Sequence, residues 1–279
     1  MKRAVARHQT RWLQLFVLTV LALTFLPLPV PHPWDWLLTT TLLLLAFVRA
    51  PRSTAAPVTL APPVRGRWVA INSPGTAVPS HGVRAYGQTY AVDLLMPSPE
   101  APAKIGWSLT TRAPASYPCF GAPVLAMADG RVVRATGTQR DHRSRDTWPS
   151  LIWMMTAEAF ARELTGAHRI LGNHVIVEHG DGTYAAYAHL RHDSLMVTEG
   201  DRVTVGQQLA EVGNTGNTSE PHLHVQLMDD PHPTAAAGIP MHWPALKSTP
   251  DKDARWSTGD PKPTALTGFP QNGQLFEND

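Results

Sequence analysis

Cysteine is almost missing from this chain: Cys119 stands alone among 279 residues. An internal disulfide and a cysteine-rich zinc site are therefore excluded, and any metal must be held by His, Asp or Glu. A dominant charge is also missing. Lysine and arginine together number 24 against 22 acids, a net +2, so the signature of polyanion binding is absent and no nucleic-acid partner is expected. No small-x-small cleavage pattern follows the first apolar run, where prolines and Trp34 stand instead, which argues against a removable leader. No lysine sits at a predicted hairpin tip. Gly180-Asp181-Gly182 and Glu199-Gly200-Asp201 occupy the tips, which argues against a lipoyl- or biotinyl-type carrier module. The 26 prolines fall in linkers and at loop edges rather than in one tract, so the chain is not of low complexity.

What is present begins with a basic flank, Lys2, Arg3, Arg7 and Arg11. An uncharged run from Trp12 to Leu26 follows and extends to Val30. Pro27, Pro29, Pro31 and Pro33 punctuate it, and a second apolar run spans Trp36 to Val48 before Arg49 and Arg52. Residues 1–49 are expected to be a membrane anchor of one or two apolar helices. Two spans would leave both ends inside, and one span would place the rest of the chain outside. A buried helical hairpin is the other reading. Residues 50–63, rich in Pro, Ala, Ser and Thr, form the predicted linker. Residues 64–245 form the predicted globular domain, and the polar, aperiodic stretch 246–279 is expected to be a flexible tail.

Within 64–245 the pattern is mostly β. Strands are predicted at Val64–Ile71 and Thr89–Leu95, and on both sides of an Asp129-Gly130 turn as a hairpin. Ser98–Tyr117 reads as an excursion. A break over 139–170, with a short amphipathic helix at Ile152–Leu164, reads as an insertion. A second hairpin is predicted over 172–190, and Ala236–Trp243 looks like a final strand. Many short strands and tight turns point to a sandwich or barrel-like core.

Two features carry chemistry. Asp93 lies amid Val92, Leu94 and Leu95, where a carboxylate is costly to bury unless it is paired or on a metal. His222-Leu223-His224 leads into alternating Val225, Gln226 and Leu227, a strand on which residues two apart face one side, about 7 Å apart. That spacing suits one ring on a metal and a neighbour reaching a group beside it. A pair of surface histidines fits the spacing equally.

The order Tyr187-Ala188-His189-Leu190, Gly213-Asn214-Thr215-Gly216 and Pro221-His222-Leu223-His224 resembles the lysostaphin-type (LytM-type) murein zinc metallopeptidases. The resemblance covers about residues 64–245 and is most specific over 172–228. It implies an antiparallel β-sandwich or barrel-like fold with a helical insertion. It also implies a Zn2+-dependent endopeptidase cleaving peptidoglycan peptides, with its domain on the extracytoplasmic side of the cell membrane. Asp93 and His224 would bind the metal, and His189 and His222 would act beside it as catalytic groups. The family commonly places its first metal histidine four residues before the Asp, and Thr89 stands there. His81 is the nearest upstream histidine and is expected to be the displaced ligand. The other reading is an incomplete site in a catalytically inactive binding or regulatory module.

Overall fold

Alternation with a period of two lets one strand carry core residues on one face and functional residues on the other. The computed structural model describes residues 1–98, 105–244 and 246–278. Residues 99–104 of the predicted excursion, Ala245 at the predicted domain end, and the last residue, Asp279, lie outside the described residues. Three helices lead: α1 (Lys2–Arg7), α2 (Gln9–Phe25) and α3 (Trp34–Ala46). The strands β1 to β5 are Val58–Thr59, Gly66–Ile71, Val92–Leu95, Pro123–Leu125 and Gly130–Thr136. Helices α4 (Trp148–Trp153), α5 (Ala159–Thr165) and α6 (Ala167–Leu171) come next. Strands β6 to β10 are Asn173–Glu178, Tyr184–Leu190, Arg202–Val203, Gln208–Glu211 and Leu223–Met228. Strands β11 to β14 are Gly238–Ile239, Met241–His242, Lys247–Lys252 and Gln274–Asn278.

One antiparallel sheet runs in the order β13-β14-β2-β3-β10-β7-β6-β5-β8, with β11 also pairing to β10. A β4–β9 pair forms a second layer, and β1 lies parallel to β12. Val92 and Leu94 of β3, Leu223, Val225 and Leu227 of β10, and Tyr187 of β7 share one core with Val124, Leu209 and Ala210 of the second layer. Full burial of each such aliphatic side chain contributes roughly 1.5–3 kcal/mol. Tyr187 is wholly buried, and its hydroxyl accepts the Met127 N–H at 2.7 Å, joining the two layers. The alternate residues, Asp93 of β3 and His224, Gln226 and Met228 of β10, are also buried.

The structure alters several expectations. The sheet is open, since β13 and β8 end its order without pairing to each other, so no barrel closes among the described residues. The strands around Asp129-Gly130 do not form a hairpin: β4 pairs with β9, and β5 pairs with β6 and β8. The hairpin expected over 172–190 is present as β6 and β7. The stretch expected as a flexible tail returns to the sheet. Phe276 is fully buried opposite Trp68 of β2, because Leu275 and Phe276 give the polar stretch an apolar anchor. The linker is docked over its second part, where Val58 and Thr59 pair with β12 and Leu60 is buried.

The expected membrane helices are not found, because no helix among the described residues is long and apolar enough to cross a membrane. α2 has 17 residues, about 25 Å at 1.5 Å per residue against a hydrocarbon core of about 30 Å. It ends where Leu26 turns extended before Pro27. α3 has 13 residues and packs on α2. The segment is tied to the domain. Arg3 pairs with Asp229, Arg7 with Asp230 at 3.4 Å, and the Gln14 side chain donates to the Leu164 carbonyl at 2.7 Å.

The insertion is helical from Trp148, where Thr147 and Ser150 form a capping box. α4 runs into α5 through a π turn at Met154–Glu158. Glu158 holds this wall by accepting from both Arg145 and Arg162.

Candidate metal centre

Register creates the first pair of donors. β3 and β10 are antiparallel, and His224 stands directly opposite Asp93. His224 Nδ1 lies 2.8 Å from Asp93 Oδ1. His81 comes from the loop between β2 and β3, and its Nε2 lies 3.1 Å from the other carboxylate oxygen. The chain reaches this position by two left-handed residues, Tyr86 (φ 59°) and Gly87 (φ 74°), which turn the loop ahead of β3. His81, Asp93 and His224 each offer one ligand atom, and all three atoms lie within 4.8 Å of one another. Thr89, at the customary ligand position, gives its carbonyl to the Ser80 N–H instead and so helps seat His81.

Two more imidazoles close the cluster. The His189 ring lies 4.8 Å from that of His222 and 5.6 Å from that of His224. His189 has φ 61°, a left-handed conformation uncommon outside glycine and characteristic of functional sites. Its Nδ1–H donates to the Thr215 carbonyl at 2.8 Å, and the Nδ1–H of His222 donates to the Glu220 carbonyl at 2.8 Å. Both rings therefore keep an unprotonated Nε2, and that of His222 lies 3.7 Å from Asp93. The structure thus brings together all five residues singled out from the sequence.

Three partners were not singled out. Asn72 donates to Asp93 Oδ2 at 2.8 Å. Thr215 supplies the carbonyl beneath His189, on a corner where Gly216 meets Gly172 so closely that an added Cβ would lie 2.4 Å from the Gly172 nitrogen. Gln226 was legible as a polar residue two positions after His224 on a buried strand. Its amide nitrogen donates to the Tyr86 carbonyl at 2.7 Å, which turns its oxygen to His224 Nε2 at 2.9 Å.

Electrostatics follow from this wiring. Burial opposes ionisation of Asp93, but His81, His222 and His224 together hold its carboxyl well below the usual range. Burial pushes His189 well below the ordinary imidazole value, and lowers His222 as well. Burial also opposes charging of His224, yet hydrogen bonding to Asp93 raises it. With Nε2–H committed to Gln226, His224 Nδ1 and Asp93 Oδ1 are two acceptors 2.8 Å apart. They require a shared cation, either a proton or a metal. Two imidazole nitrogens and one carboxylate oxygen, without a thiol, suit zinc with a fourth position left open. The cluster faces a groove of ≈ 1090 Å³, walled by the N-terminal segment, the His81 loop and α5.

His174 and His179 take no part. Both are buried, and their Nδ1–H groups donate to the Gly172 and Asp129 carbonyls. Cys119 is a buried free thiol whose Sγ contacts the Pro221 carbonyl at 3.1 Å.

The model for peptidase family M23 matches residues 159–236, which include His189, His222 and His224. Lipoprotein NlpD of Yersinia enterocolitica is 30% identical over 107 residues, 38% of this chain and 77% of that protein. The chain belongs to peptidase family M23. Among other relatives, peptidoglycan DD-endopeptidase ShyA of Vibrio cholerae is 36% identical over 92 residues, 32% of this chain. Murein hydrolase activator NlpD of Salmonella dublin is 32% identical over 124 residues, 42% of this chain. The matches span only 20% of ShyA and 32% of that NlpD. The solved catalytic domain of lysostaphin from Staphylococcus simulans aligns at 20% identity and a TM-score of 0.32, covering 56% of this chain and 86% of that one. The family match begins beyond His81 and Asp93, so the first half of the donor set in this M23 member rests on the geometry above.

Proposed function

We propose that this M23 member is a zinc-dependent endopeptidase acting on the peptides of bacterial peptidoglycan in the cell envelope, with its domain outside the cytoplasm. The observation that carries this reading is the convergence of His81, Asp93 and His224 within 4.8 Å, with two further imidazoles against them. Similarity to ShyA and to the NlpD proteins supports the substrate.

His81, Asp93 and His224 would hold the metal, and zinc when bound supplies a Lewis acid that polarises a carbonyl and acidifies water. The chain's own residues supply positioning and proton transfer. His189 and His222 are neutral at pH 7 because burial lowers both. Their Nδ1–H groups are tied to backbone carbonyls, so each presents Nε2 as a proton acceptor at a fixed place. Once protonated, the same rings can return the proton to a leaving amine or stabilise an oxyanion.

The decisive experiment combines metal content with hydrolysis. The wild-type chain should hold one zinc and release soluble peptides from purified peptidoglycan. His81→Ala should lose the zinc. His222→Ala should keep it while losing about a hundredfold or more in hydrolysis. Zinc bound without hydrolysis by the wild type would instead establish a non-catalytic module. That second reading is favoured by the unusual position of the His81 ligand and by relatives named as hydrolase activators.

A further inference from the structure

The cations of the N-terminal half are distributed unevenly with respect to their partners. Arg3 and Arg7 are each paired with a carboxylate at the end of β10. Lys2, Arg49, Arg52 and Arg84, which line the groove in front of the metal centre, have no ion-pair partner among the described residues. The acids lining that groove are Asp93, already engaged by three histidines, and Glu163, which accepts the Tyr86 hydroxyl. Arg162, the remaining arginine of the lining, is paired with Glu158, which it shares with Arg145.

This bias does not come from overall basicity, because the whole chain carries only +2. Like charges gathered in a cleft repel one another, and the arrangement is offset when an anion enters. Guanidinium groups are matched to carboxylates by their planar, bidentate donors. Arg52 and Arg84 are exposed, one on the segment that follows α3 and the other on the loop that carries His81. Arg49 is half-buried, held by the Ala46 carbonyl at 3.0 Å and by the face of Phe47.

We infer that the groove selects a peptide bearing a free carboxylate near the bond it presents to the metal centre, with Arg84 and Arg52 as the specificity-determining residues and Arg49 in support. A neutral bridge such as a run of glycines would leave these charges unanswered. The inference rests on the reading of the groove as a peptide site, and it names the chemistry of the peptide.

The test uses the full zinc-loaded chain and two probes, dansylated penta-alanine with a free C-terminal carboxylate and the same peptide as its C-terminal amide. Fluorescence anisotropy is read at once, and turnover is scored separately by chromatography. The wild type should bind the carboxylate form about tenfold more tightly than the amide at low salt, and the gap should narrow as salt rises. In Arg52→Gln/Arg84→Gln the gap should fall to about twofold or less, with affinity for the amide unchanged. Equal binding of both probes by the wild type would overturn the inference, as would a preference that survives in the double variant. It also fails if the variant keeps the peptide preference but loses binding to vesicles of anionic phospholipid, since the arginines would then serve headgroups. Carboxylate preference in a zinc-loaded chain that leaves purified peptidoglycan intact would sink the hydrolase reading and leave this one standing. Turnover that ignores the carboxylate would do the reverse.

Discussion

Gln226 decides which nitrogen of His224 is free. Its amide orientation is fixed because the Tyr86 carbonyl can only accept, so the Gln226 oxygen must face His224 Nε2. Gln226→Leu would release that constraint, and zinc affinity should fall about 10–100-fold in a competition titration with a chelating dye. Proton linkage acts at the same scale. Burial lowers His142, His168, His174, His189 and His222, so the unfolded chain, with imidazoles near 6.5, binds protons that the folded one refuses. Their contribution is present above about pH 6.5 and is lost as pH falls through that value. His224 is raised and burial pushes Glu220 up to about 7, so these two act in the opposite sense against five lowered histidines. The urea midpoint of the metal-free chain should therefore be lower at pH 5.5 than at pH 7.5. Asp93, His189, His222 and His224 were legible because each stands in a recognisable run or in a setting where its burial needs a partner. His81 was reached only by elimination of Thr89. Asn72 was hidden, because a side chain that bonds across 21 residues leaves no local trace.

Elements carry these side chains and can be tested as such. The corner at Gly216 approaches Gly172 so closely that only a hydrogen fits, and its φ is +82°. Gly216→Ala should cost about 2–4 kcal/mol in chemical denaturation and should loosen His189 with it. The helical wall depends on Glu158, which burial would protonate but Arg145 and Arg162 keep ionised. Glu158→Gln should destabilise the wall by about 1–3 kcal/mol. It should speed proteolytic cleavage between Trp148 and Thr165 before the sheet is attacked. Local patterning made the β6–β7 hairpin and the insertion helix readable, since both are built from neighbours in sequence. It misplaced β4 and β5, whose true partners lie far along the chain, and it missed β14, where only Leu275 and Phe276 mark a buried strand in polar surroundings.

At the scale of the molecule, a metal that binds only the folded chain stabilises it by mass action. With free zinc a thousandfold above its dissociation constant the gain is about 4 kcal/mol, so stripping the metal should lower the melting midpoint by roughly 10 °C. Differential scanning fluorimetry with and without a chelator measures it. The expectation of membrane helices finds no support at this scale for a reason of dimensions: composition and basic flanks resembled a span, while the first helix ends at 17 residues ahead of the proline cluster. The pairing of β3 with β10 has a kinetic consequence. His224 and Asp93 are 131 residues apart, so their contact closes a long loop, whereas the β6–β7 hairpin closes a short one. Contacts of high sequence separation form slowly, because chain entropy must be lost before they reward it. During refolding, amide protection in β6 and β7 should precede the ability to capture zinc, and metal uptake then serves as a clock for the last step of assembly.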